Sequence, residues 1–204
     1  MSAGRPVPFA TVARDLLRTT LLDAVAAELR EKPWAAVKMA DVARAAGVSR
    51  QTVYNEFGSR HDLAQAFALR EVDGFLATVE EAVEGHREDP AAALAAAFET
   101  FLGAAAENPF VRSIVSGEGS DDLLPLVTTQ GEPVLARATE RLGEFLGDGW
   151  PQMDAAQARL LAETTVRLAI SYAALPQSPA GIDGRAIAAL LGPYVDRAIG
   201  RAPA

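Results

Sequence analysis

The chain has 204 residues, half of them apolar, no cysteine, and a formal charge of −8 at pH 7. That suffices for one sizeable domain or two small ones around a globular core. The lack of cysteine excludes disulfides and thiolate metal sites and fits a reducing cytoplasm, and no stretch reads as a signal peptide or membrane span. The charge is uneven. Residues 1–60 carry nine Lys/Arg and six Asp/Glu, a net of +3, while residues 61–204 carry ten and twenty-one, a net of −11. A mildly basic head on an acidic body predicts that only the head meets a polyanion.

Apolar residues recur with helical spacing and nowhere with sustained period-two alternation, so the fold class expected is all-α. Residues 1–9 hold Pro6 and Pro8 and read as an irregular arm. A first helix is predicted from about 11 to 31, ending before Pro33. Met39, Val42, Ala43 and Ala46 define a short second helix that Gly47 stops as a C-cap. Ser49 caps a third, which ends at Phe57-Gly58. Ser59 and Asp62 form a capping signature for a long fourth helix. Asp89-Pro90 opens a fifth, Asn108-Pro109 breaks it, and a short piece reaches Gly117. The stretch GEGSDDLLP reads as a loop. Helices near 123–146, 154–175 and 184–199 complete the chain.

Residues 39–57 have the spacing of a helix-turn-helix, two short helices joined through Ala46-Gly47-Val48-Ser49. Val53 and Phe57, four apart, share the inner side of the second helix. The opposite face then centres on Gln51 and Asn55, with Thr52 and Tyr54 flanking and Arg50 in the first turn. Those groups suit a major groove: arginine reads guanine, glutamine and asparagine read adenine, and a threonine methyl meets that of thymine. Hydroxyls and helix N-terminal amides fix phosphates.

The segment KMADVARAAGVSRQTVYNEFGSRHDL, residues 38–63, closely resembles the DNA-binding segment of the TetR (tetracycline-repressor-like) family. Val42-Ala43, Ala46 to Ser49, Thr52, Tyr54, Phe57, Ser59 and Leu63 carry the likeness, over about a quarter of the chain. Lys38 stands where a capping threonine is common, Gln51 replaces a small residue, and Arg60-His61 replace a lysine and an acid. The resemblance implies a three-helix DNA-binding domain at 1–60, joined by the fourth helix to an effector-binding and dimerisation domain at 61–204. It makes Thr52 and Tyr54 phosphate contacts and adds Lys38, Arg60 and His61 as further candidates. It also implies a homodimer on a pseudo-palindromic operator, most simply a repressor, joined through the last two long helices. Val166, Ile170, Ile187, Leu190, Leu191 and Tyr194 are the candidate interface residues.

The helix at 154–175 has apolar residues on two sides and is expected to be buried on both. With the Phe-rich helices before it, it could enclose a cavity. Phe75, Phe98, Phe101, Leu102, Phe110, Thr165, Leu168 and Tyr172 are candidate lining residues. Arg167 is a candidate partner for a ligand carboxylate. Few convergent polar groups point to a small apolar effector, with a long-chain fatty acid or its acyl thioester leading. An aromatic or cationic drug-like ligand, or an effector-free DNA-binding adaptor, are the alternatives. No nucleophile elbow, P-loop, HExxH or GxGxxG occurs, and the acidic pairs Glu80-Glu81 and Asp121-Asp122 diverge on a helix. No enzyme, cofactor or metal is therefore expected.

Overall fold

A computed structural model describes residues 9–116, 120–175 and 183–200. The arm before Phe9 and the glycine-rich residues 117–119 lie outside the described residues. Ten α-helices and one 3-10 turn make up the described chain, with no strand among the described residues. Two compact units divide between Phe67 and Ala68. The architecture is all-α, with an N-terminal helix-turn-helix unit joined by a long helix to a larger helical unit.

The first unit begins with α1, Phe9–Glu31. It starts two residues before the sequence expectation and ends ahead of Pro33. A 3-10 turn, Trp34–Ala36, follows, which helical spacing did not predict. Its Trp34 is completely buried. Then come α2, Met39–Ala45, and α3, Arg50–Phe57. Gly47 takes φ 69° and Gly58 φ 78°, left-handed positions where a side chain would be strained. Both therefore end their helices as the sequence implies. Ser49 accepts the Thr52 amide at 3.1 Å, the expected N-cap bond. Ser59 accepts the Asp62 amide at 3.0 Å to open α4, Arg60–Glu84. Leu63, Ala64 and Phe67 are buried. The first two turns of α4 thus belong to this unit, and its core extends past residue 60.

The second unit holds the rest of α4 and six more helices. These are α5, Pro90–Glu107; α6, Pro109–Val115; α7, Ser120–Val127; α8, Glu132–Gly149; α9, Ala155–Ala174; and α10, Gly184–Ala198. The expected loop at GEGSDDLLP is in part α7, and the single helix expected over 123–146 is two. Leu123 and Leu126, three apart and fully buried, make a helical turn worthwhile despite Pro125. Pro133, which has no amide proton to donate, then starts α8 afresh. Asp89, Asn108, Asp154 and Asp183 cap α5, α6, α9 and α10 with side-chain oxygens. The tightest pairings are α8 with α9 and α5 with α10. A Cβ on Gly184 would lie 2.5 Å from the Ala95 carbonyl oxygen, so that crossing requires glycine.

Candidate recognition helix and apolar cavity

In the head, the exposed face of α3 is organised by its own side chains. Gln51 Nε2 donates to Asn55 Oδ1 at 2.8 Å, and both side chains are exposed. Arg50 donates to the Tyr54 hydroxyl at 3.2 Å, with its guanidinium 5.3 Å from that ring's centre. Thr52 shares its hydroxyl with Ser49 at 2.9 Å. These i,i+4 and cap contacts hold the polar groups in place before any partner arrives. Lys38, Arg50, Tyr54 and Arg60 line one shallow depression, so four of the expected contacts converge.

Arg60 has a second occupation. It donates to the Trp34 carbonyl at 2.6 Å and the Val37 carbonyl at 3.2 Å, and its guanidinium sits 4.9 Å over the Trp34 ring. Its guanidinium ties the 3-10 turn to the start of α4, a role the sequence did not suggest. His61 is half-buried beside it. Lys38 occupies the N-cap of α2, but a lysine side chain has no acceptor to offer the helix. Only the return bond forms, from the Lys38 amide to Asp41 at 3.3 Å.

Ion pairs brace this platform from behind. Glu56, almost fully buried, receives Arg14 at 3.0 Å and Arg18 at 3.1 Å, fixing α3 to α1. Lys32 joins Glu28 at 2.6 Å and Asp41 at 2.7 Å, fixing α1 to α2. The Lys32 ammonium, with Arg44 also in contact, holds the Asp41 carboxyl down at about 2. The Asp41 bond, with Glu28 beside it, raises Lys32 above its ordinary range.

In the body, residues from α4, α5, α8, α9 and α10 enclose a cavity of about 120 Å³. Of the candidate lining residues, Phe75, Phe98, Phe101 and Thr165 line it. Phe75 and Phe101 meet edge to face, ring centres 5.4 Å apart. Trp150 also lines it, and so do Leu76, Val79, Leu142, Phe145 and Leu146, which were not anticipated. Their signal was there as helical stripes, but a stripe alone does not say which side chains face a void. Among the described residues only Thr165 and Trp150 bring polar side-chain atoms, and the Trp150 indole N–H is taken by the Arg87 carbonyl at 3.1 Å.

Five candidate lining residues lie elsewhere. Phe110 is packed in the core, and Leu168 is half-buried away from the cavity. Leu102 and Tyr172 line a separate hollow. Arg167 is exposed and spends its charge on Glu163 at 2.8 Å, an i,i+4 pair on the outer face of α9. The interface candidates divide too. Leu190 is exposed, and Leu191, Tyr194 and Ile170 are half-buried. Val166 and Ile187 are buried within the single chain, and Val166 and Ile170 line the cavity. Both apolar sides of α9 are thus largely used inside the single chain. Leu160 and Leu175, with Leu190 on α10, are the large apolar side chains left outside on these helices.

Around the cavity α4 is clamped. Arg141 of α8 grips Glu80 with two bonds of 2.9 and 2.8 Å and donates to the Asp73 carbonyl at 2.8 Å. The Glu80 carboxylate raises the Arg141 pKa further. Arg137 adds Asp73 at 3.0 Å, and Asn108 donates to Glu71 at 2.6 Å. No helix among the described residues is long and apolar enough to cross a membrane. Nor do the described residues gather three or more acids and histidines around a metal site.

A small helix-turn-helix unit followed by a larger helical unit defines a class of DNA-binding regulators. The comparisons name it. Residues 21–67 match the family described as bacterial regulatory proteins, tetR family, and residues 89–193 match the bacterial tetracyclin repressor, C-terminal domain. The chain is 37% identical over 191 residues to the HTH-type transcriptional regulator AlkX of Mycobacterium tuberculosis, covering 94% of this chain and 90% of that protein. It superposes with a TM-score of 0.80 and 34% identity on the crystal structure of AlkX from Dietzia sp. strain DQ12-45-1b, covering 97% of this chain and all of the other. That protein is a TetR family repressor implicated in biodegradation of n-alkanes. The chain belongs to the TetR family of transcriptional regulators. Its business is with DNA, and it is not an enzyme.

Proposed function

We propose that this protein is a cytoplasmic repressor that binds a pseudo-palindromic operator as a homodimer and releases it on taking up an elongated apolar effector. A long-chain fatty acid or acyl thioester is the leading candidate. One observation carries the effector reading: a cavity walled by five helices whose lining offers almost nothing but hydrocarbon and aromatic surface. Each methylene buried there contributes roughly 0.8 kcal/mol. The kinship to a repressor implicated in n-alkane biodegradation supports an aliphatic ligand over a cationic drug.

In this reading Arg50, Gln51 and Asn55 read bases, while Thr52, Tyr54 and Lys38 hold phosphates. Residues 1–60 supply the DNA contacts and residues 61–204 the effector and dimer contacts. The homodimer forms through the outer faces of α9 and α10, where Leu160 and Leu190 are exposed. Helix α4 is the lever, because its first turns belong to the head and its later residues Val72 to Val83 line the cavity. Driving the switch from 1:99 to 99:1 requires about 5.5 kcal/mol of differential binding.

The test is operator release measured by fluorescence anisotropy against fatty acids and acyl thioesters of increasing chain length. Release that strengthens with length to an optimum is expected. A flat response, with release by compact aromatic or cationic drugs instead, overturns the lipid reading. Light scattering tests the dimer: Leu190→Glu should yield monomers, since a lone charge in an apolar interface is strongly destabilising.

A further inference from the structure

The cavity, at about 120 Å³, is on the scale of those that admit one benzene-sized molecule, too small for a long acyl chain. Its polar inventory is also wrong for an acid, because no cation among the described residues lines it. A second hollow lies one turn further along the same two helices. Helix α5 gives Phe98 and Phe101 to the cavity, then Leu102 and Ala105 to the hollow. Helix α9 gives Ala169 and Ile170 to the cavity, then Tyr172 and Ala173 to the hollow. Helix α6 packs against both and completes the hollow with Val111 and Arg112.

The hollow supplies what the cavity lacks. Arg112 is exposed, and one guanidinium nitrogen is fixed by the Glu107 carbonyl at 2.8 Å. No carboxylate among the described residues pairs with it. A guanidinium tethered at one corner keeps its other donors for a planar anion. Tyr172, which carries a hydroxyl donor, belongs to the same lining.

We propose that cavity and hollow are the two ends of one site for a linear amphiphile. The hydrocarbon tail fills the cavity against Phe75, Phe98 and Trp150, and a free carboxylate is received by Arg112 with Tyr172. Along α9, Leu161 to Tyr172 spans about 16 Å at 1.5 Å per residue, the reach of a long-chain acid rather than a short one. Entry requires the boundary at Phe101 and Ile170 to open. This deepens the apolar-effector reading above and rests on it.

Because Trp150 lines the cavity, its fluorescence reports tail entry whatever the head group does. Hexadecanoate and its methyl ester are titrated into the full-length protein. Wild type should bind both, the acid more tightly. Arg112→Gln should weaken the acid by about tenfold or more, as loss of a charge-assisted bond implies, and leave the ester nearly unchanged. Arg112→Lys should restore part of the difference. Ala173→Trp, which fills the hollow, should exclude both sixteen-carbon ligands while a six-carbon alkane still enters. Equal affinity of Arg112→Gln for the acid, or equal losses for acid and ester, overturns the head-group site alone. Failure of both ligands on wild type overturns it together with the apolar-effector reading.

Discussion

In residues 9–67 the polar side chains of the exposed face bond to near neighbours in sequence: Gln51 to Asn55, Arg50 to Tyr54, Ser49 to Thr52. In residues 68–200 the polar contacts that clamp α4 to α8 join residues sixty or more apart, Arg141 to Glu80 and to Asp73, and they flank a void with almost no polar lining. The head arranges donors on one short helix for a partner that is itself polar and rigid. The body uses its charges to hold helices around a space with an apolar lining. Local order suffices for the first task, whereas the second depends on how five helices meet.

Core truncation should produce the largest effect and separate the two regions. Phe98→Ala in the cavity wall and Trp34→Ala in the head should each cost about 3–5 kcal/mol in denaturant unfolding. The enlarged cavity of Phe98→Ala should then be refilled by a small apolar molecule, with part of the stability restored. Trp34→Ala should gain nothing from the same additive. Equal rescue of both variants would break the distinction.

Arg141→Gln should cost about 1.5–3 kcal/mol, since it removes charge-assisted bonds to a carboxylate that is three-quarters buried. If α4 transmits effector binding, this variant should also release operator at a shifted effector concentration. Anisotropy titrations with unchanged release midpoints would reduce the clamp to a structural brace. In the head, Asn55→Ala and Gln51→Ala should each cost about 1–3 kcal/mol of operator affinity, concentrated at particular base pairs. Tyr54→Phe should weaken all duplexes alike. Affinity across a substituted operator set distinguishes these patterns.

The same contrast explains what could be read in advance. Gly47, Ser49, Gly58 and Ser59 act through neighbours three or four residues away, so the helix boundaries around α3 were legible residue by residue. Its outward face followed from helical arithmetic once Val53 and Phe57 were placed inside. The cavity was legible only as composition. Phe75, Phe98 and Phe101 turned inward, but Phe110 and Leu168 have the same chemistry and pack elsewhere, because the crossings of α5, α6 and α9 decide. Arg60 reads as a surface cation until Trp34 is seen beneath it. Arg167 looked available until Glu163, one turn back, claimed it. Residues 117–125 read as a loop because glycine, aspartate and proline outweighed Leu123 and Leu126, whose burial depends on helices distant in sequence.

The smallest expected effect is a pH dependence confined to the head. Asp41 is held at about 2 by the Lys32 ammonium first, so the folded head favours the ionised carboxyl more than the unfolded chain does. Its contribution to stability is therefore fully present above the ordinary carboxylate range near 4, and it is lost as pH falls toward about 2. Lys32, raised above its ordinary value, keeps its share at neutral pH and loses it only in strong alkali. Asp41→Asn should lower the head's melting temperature modestly at pH 7. The gap from wild type should close on acidification through that window. Added salt should narrow it as well, because the pair is partly open to solvent. The readout is thermal unfolding followed by the fluorescence of Trp34, in a background where Trp150 is replaced by phenylalanine. A gap that stays constant from pH 7 to pH 2 would mean that the charge of Asp41 is not what stabilises the head.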